Sequence, residues 1–219
     1  MQRKMESMFA DLIRSTARHV RRAVKGAGWV PILTLAIWGA GCRPASPVHS
    51  TLHEAVECGD AADVVRHLRS GADVNAADVD HWTPLMLAAY RGDLGMTRKL
   101  VDRGADVNAQ NEDGATPLMI ALYGCHFKAA LCLLAHGADV DLRTDRGQTA
   151  LLIAVRKGNL GVIQDLLDRG ADANARDAKG RTPLMELARL EEAVGFARPD
   201  IQKSLELHGA AVGRGEVAR

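Results

Sequence analysis

The sequence predicts an all-α repeat solenoid of stacked helix-turn-helix units, and three observations predict it. GADVNA at residues 71–76 returns at 104–109, and GADVDL at 137 and GADANA at 170 keep the same interval of 33 residues. A second phrase holds the same phase: Ser50-Thr51-Leu52-His53, Thr83-Pro84-Leu85-Met86, Thr116-Pro117-Leu118-Met119, Thr149-Ala150-Leu151-Leu152 and Thr182-Pro183-Leu184-Met185. Aromatic residues are only 4% of a chain that is 47% hydrophobic, so Ala, Leu and Val carry the packing, which suits close-stacked helices. Strict periodicity of this kind means units that cannot bury an apolar face alone and bury it against a neighbour.

The first segment reads as an address. Residues 1–41 hold seven Lys or Arg against Glu6 and Asp11, which leaves the rest of the chain net acidic by four. Met5, Met8, Phe9, Leu12, Ile13, Val20 and Val24 recur at helical spacing, the pattern of a basic amphipathic helix on a membrane surface. Residues 26–42, GAGWVPILTLAIWGAGC, carry no charge and follow Arg18, Arg21, Arg22 and Lys25. A positive stretch, a short apolar run and small residues describe a secretory signal. The apolar core Trp29 to Trp38 is shorter than the roughly 20 residues a membrane span needs. Ala40-Gly41-Cys42 resembles the lipobox of bacterial lipoproteins, in which cleavage leaves a lipidated Cys; Gly39 departs from the Leu-like residue usual there. The expectation is a signal over 1–42 with lipidation at Cys42, a linker over 43–47, and export to a membrane-tethered place in the periplasm. The alternative is retention of the segment, in an inner-membrane-anchored or cytoplasmic protein.

Each unit explains itself residue by residue. Thr83 can cap a helix with its hydroxyl, and Pro84 suits the first helical position, where a missing N–H costs nothing. Leu85, Leu87, Ala88 and Ala89 make a short helix, and Gly92 ends it in a left-handed conformation. Leu94, Leu100 and Val101 place a second helix on the core, and Gly104 stops it before the next turn. Cys125 takes the Gly92 position in the third unit, with Gly124 one place early, so that turn should be altered. The fifth unit has six extra residues around Gly195 to Asp200 and predicts a longer first helix.

These phrases and their period resemble the ankyrin repeat over residues 48–212, as five units at about 48–78, 79–111, 112–144, 145–177 and 178–212, followed by a tail over 213–219. The resemblance implies short β-hairpin fingers between units, and a monomer that binds a protein partner on a concave face of finger tips and first-helix ends, without catalysis or cofactor. Column by column it carries the contact role to Asp80, Trp82, Tyr90 and Arg91 in the second unit and to Asp113 and Tyr123 in the third. The fourth unit contributes Arg146, Arg156 and Lys157, and the fifth Lys179 and Arg181. The early columns are acidic and aromatic and the later ones basic. The His that usually follows Thr-Pro-Leu survives only as His53, and Met86, Met119, Leu152 and Met185 replace it.

Other chemistry is poorly provided for. His49 and His53 are four apart, but His49 precedes the helix and His53 has a repeat role, so no metal site is expected. Cys125-His126 lacks an orienting third group. Cys132 shares a column with Arg66, Lys99 and Asp165 and is expected to be exposed. An acidic body argues against nucleic acid. A sharper expectation is a periplasmic partner or neutraliser of a secreted enzyme or toxin; the rival is an intracellular or host-directed scaffold.

Overall fold

A computed structural model describes residues 49–195 and 197–210. The signal segment, Cys42, the linker and the tail lie outside them. The described residues form ten α-helices and no strand. In chain order these are α1 Leu52–Cys58, α2 Ala61–Arg69, α3 Pro84–Arg91, α4 Leu94–Val101 and α5 Pro117–Tyr123. Next come α6 Phe127–Ala135, α7 Ala150–Lys157, α8 Leu160–Asp168, α9 Pro183–Val194 and α10 Pro199–Leu207.

Local chemistry sets the ends. The hydroxyls of Thr83, Thr116, Thr149 and Thr182 accept from the backbone N–H three residues on, and Pro84, Pro117 and Pro183 occupy the first turn. The first unit has no such proline, so its cap falls one place later, on Thr51. Asp60, Asp93 and Asn159 cap the second helices of their units. Gly92 closes α3 at φ +67°, and a Cβ there would meet the His126 ring at 2.3 Å, so conformation and space both require glycine. The altered third turn is present: Gly124 is right-handed and Cys125 takes the positive φ, +59°. The fifth unit's first helix is the longest at 12 residues, as its sequence implies.

Odd-numbered helices pack on odd and even on even: α1 on α3, α3 on α5, α5 on α7 and α7 on α9, with α4, α6, α8 and α10 alongside. One apolar cluster runs from Leu52 to Ala210, built at its centre from Leu85, Leu118, Ala121, Leu151 and Ala154, all fully buried. The second helices join less closely at the start, where α2 and α4 leave a cleft of about 180 Å3 edged by Val64, Leu68 and Lys99.

The repeated GADVNA phrase is a staple between units. Asp73 Oδ1 accepts from the Asn75 N–H (2.8 Å), fixing the turn. The Asn75 amide then reaches the following unit, donating to the Gly104 carbonyl (3.4 Å) and accepting from the Asp106 N–H (2.8 Å). Asn108 repeats both bonds, to Gly137 and Asp139, and Asn174 donates to Gly209 (2.8 Å). Asp141, in the variant GADVDL, accepts from the Asp172 N–H (3.2 Å) but has no N–H to give.

Two expectations are corrected. Cys132 is buried, with 8% exposure, because its side chain is short and His136 lies one turn on, Sγ 3.8 Å from Nδ1. Met86, Met119 and Leu152 are buried, as an apolar replacement for histidine requires, but Met185 is 41% exposed. This column faces the following unit, and no described unit follows the fifth. His53 keeps its polar role, with Nε2 3.0 Å from the Trp82 carbonyl.

Candidate protein-binding surface

Four finger turns begin the surface. Each is closed by two backbone bonds: Asp78, Asn111, Thr144 and Asp177 donate to Trp82, Ala115, Gln148 and Arg181 (3.0–3.1 Å) and accept from His81, Gly114, Gly147 and Gly180 (2.7–3.1 Å). They are hairpin turns too short to form a strand ladder. The first side chain of each, Asp78, Asn111, Thr144 or Asp177, accepts from backbone N–H groups across the turn. Successive fingers are tied by Glu112 N–H to Asp80 O, Asp145 N–H to Asp113 O and Ala178 N–H to Arg146 O. His81 holds the left-handed position (φ +59°) that Gly114, Gly147 and Gly180 hold in the later fingers.

The predicted contact residues fall into four groups. Arg91, Asp113, Arg146 and Lys179 are exposed, as is Tyr90 at 37%, and Val79 beside them on the finger tip is 78% exposed. Arg91 also donates to the Glu57 carbonyl. Asp80 and Lys157 are half-buried and engaged with neighbouring groups. Trp82 is buried at 6%, its ring edge-on to Tyr90 with centroids 6.0 Å apart, so it shapes the surface by propping Tyr90.

Tyr123, Arg156 and Arg181 belong to a network spanning units three to five. In the amide orientation that gives both neighbours a partner, the Gln148 NH2 donates to Tyr123 Oη while its carbonyl accepts from Arg156 Nη1 and Nη2 (3.1 and 3.0 Å). Burial raises the Tyr123 phenol above its usual pKa, keeping it neutral. Arg156 Nε donates to Glu186 Oε1 (2.9 Å), which also accepts from Arg189 Nη2 (2.8 Å). Arg181 Nη1 lies 3.2 Å from Glu186 Oε2, while its Nε and Nη2 donate to Asp177 Oδ2 (2.8 and 2.5 Å).

Glu186 is fully buried. Burial alone would raise its pKa, but the bond from Arg189 and the charge of Arg156 outweigh that and hold it below the usual carboxylate value. For Asp177 too, burial pushes up and the Arg181 bonds push down further. Sequence reasoning missed Glu186. The signal was available, since positions 54, 87, 120, 153 and 186 read Glu, Leu, Ile, Ile, Glu, a charge that ends the apolar run of the three middle units.

The weaker constellations are accounted for by structural bonds. His126 Nε2 meets the Tyr90 carbonyl at 3.0 Å. His49, Asp60 and Asp63 bring one ligand atom each within 4.8 Å of one another. Asp60 caps α2, and Asp63 accepts from the His49 N–H (2.6 Å) and from Arg66. Among the described residues no helix is long and apolar enough to cross a membrane.

The sequence matches the family described as Ankyrin repeats (3 copies) over residues 52–144 and that described as Ankyrin repeats (many copies) over residues 133–185. Together the two matches span more than half of the chain. No curated protein matches it.

Proposed function

This chain belongs to the ankyrin-repeat family of protein-interaction modules, and on that premise we propose that its finger-and-first-helix face binds one protein partner without catalysis. The observation that carries this is a contrast between columns. Core positions repeat, as Leu85, Leu118, Leu151 and Leu184 do. The finger-tip positions change from Val79 to Glu112, Asp145 and Ala178, and from Asp80 to Asp113, Arg146 and Lys179. Stacking constrains the first set and leaves the exposed members of the second free to suit a partner. An exposed Val79 and Tyr90 beside guanidinium groups is the composition of an interface anchor.

A Val79→Asp, Tyr90→Ala variant tests the site, because both side chains are exposed and their loss leaves the core whole. Copurification from the native host should lose a partner that wild type retains. Equal recovery of every partner would reject the site.

The N-terminal address supports a finer reading: an exported bacterial lipoprotein, tethered through Cys42 in the periplasm, that engages or neutralises a secreted enzyme or toxin. Its support is the charge-free run before Ala40-Gly41-Cys42 and the short Pro-containing stretch after it. Metabolic labelling with a fatty-acid probe should mark wild type and not Cys42→Ser. An unlabelled wild type with an intact N-terminus would replace this reading with an intracellular or host-directed scaffold.

A further inference from the structure

Glu186 has no packing reason to be charged. Ile120 and Ile153 occupy its column in the units before it and are buried there, at 5% and 0% exposure. An isoleucine in the fifth unit would continue that column without desolvating an ion. What the carboxylate does instead is hold guanidinium groups from two units: Arg156 from the fourth, and Arg181 and Arg189 from the fifth.

Those guanidiniums still face outward. Their side chains are 19%, 28% and 47% exposed for Arg156, Arg181 and Arg189. Arg189 donates to Glu186 through Nε and Nη2, which leaves its Nη1 edge toward solvent. Three cations meet two carboxylates, Glu186 and Asp177, so the cluster keeps a positive excess. Arg146 and Lys179 on the finger tips are exposed and outweigh the exposed Asp145 beside Arg146, which preserves that excess. A guanidinium fork already fixed by one carboxylate loses little rotamer freedom when it meets a second.

We propose that units four and five form a receptor for a short acidic segment of the partner protein, gripped by Arg156, Arg181 and Arg189 in the arrangement Glu186 imposes. This rests on the reading that the finger-and-first-helix face binds protein. Charge complementarity selects the occupant and limits its length. Asp80, Glu112 and Asp113 in the preceding units repel any polyanion that continues along the stack. Two stacked units extend about 20 Å, room for roughly six residues of extended chain. A nucleic acid, whose charge is continuous, fits that boundary poorly.

The test uses the full chain and a fluorescein-labelled octapeptide of alternating Glu and Asp, read by anisotropy beside its Gln/Asn counterpart and a ten-nucleotide oligo-dT. The acidic peptide should bind, more weakly as salt rises, and the neutral peptide should not. Arg189→Gln should weaken it by about three- to tenfold, the scale of one charged interfacial contact. Glu186→Gln keeps the side-chain shape and makes the patch more positive. It should nevertheless weaken binding, because the guanidiniums lose their anchor; urea midpoints of both variants confirm that they fold. Equal binding of neutral and acidic peptides, oligo-dT binding as tight as the acidic peptide, or unchanged or tighter binding by Glu186→Gln would each overturn the proposal. Failure here with the Val79/Tyr90 variant still losing the native partner would leave the binding face standing. If that variant loses nothing, the face itself is wrong.

Discussion

Asp141 stands where Asn75, Asn108 and Asn174 stand in the other units, and one missing N–H separates them. Asn75 and Asn108 bond both ways across a unit boundary, Asn174 donates across one, and Asp141 only accepts. Asp141→Asn should supply the donor toward Gly170 and raise stability by about 0.5–1 kcal/mol, the usual net value of one hydrogen bond. Urea unfolding measures this, and no gain would mean that the boundary there is held by packing alone. A second contrast is visible only at this scale. Met119 and Met185 share a column, yet one is fully buried and the other 41% exposed. Met119→Lys should cost at least 3 kcal/mol or prevent folding, and Met185→Lys should stay within about 0.5 kcal/mol. Circular dichroism melts of the pair distinguish a column that ends from one that continues.

Turns and caps decide how each helix pair is joined. The third unit crosses from α5 to α6 through Cys125 at φ +59°, a conformation the other units reach with glycine. His126 begins α6 without a side-chain cap, its ring turned to the Tyr90 carbonyl instead. A left-handed non-glycine residue costs about 1–2 kcal/mol, and glycine returns about 0.5–1 of that through the freer unfolded chain. Cys125→Gly should therefore stabilise by about 0.5–1 kcal/mol, read as a raised urea midpoint. A fall would mean that the cysteine side chain makes a contact worth more than its strain. The caps, the prolines and the longer α9 were legible beforehand, because they depend on neighbours within one helical turn. The burial of Cys132 was missed although its cause is local: the side chain is short and His136 lies one turn on, with Nδ1 3.8 Å from the thiol.

At the level of the whole stack, stability is shared between neighbours, and its pH dependence is concentrated at the two ends, because Glu54 and Asp63 in the first unit are also held below their ordinary pKa values. Glu186 and Asp177 both have folded pKa values below their ordinary 4.5 and 3.8. A depressed carboxylate stabilises the fold above its unfolded value, and that stability is lost as pH falls through the folded one. Acid should thus loosen units four and five before the middle of the stack, below about pH 4.5. Hydrogen exchange from pH 7 to 3 should show α9 and α10 losing protection before α3 and α4, and Glu186→Gln should flatten the difference. Uniform loss along the chain would refute this. Removing residues 178–219 should leave a folded but weaker stack, because only one unit boundary is lost, with α7 losing the packing of α9 and α8 that of α10. An unchanged urea midpoint would mean that the fifth unit contributes no interface.

The sequence by itself determined that units of one kind stack in order, because a repeated interface needs repeated residues and leaves its period in the text. It also located the capping threonines and the displaced glycine of the third unit. Only the tertiary structure decided which outward residues are available. Trp82 turned inward beneath Tyr90, and Arg156 and Arg181 converged with Arg189 on a carboxylate from another position. The physical reason is range: capping and turn formation act over a few residues of chain, whereas burial and pairs such as Arg156 with Glu186 depend on groups from neighbouring units, which only the stacking of complete units brings together.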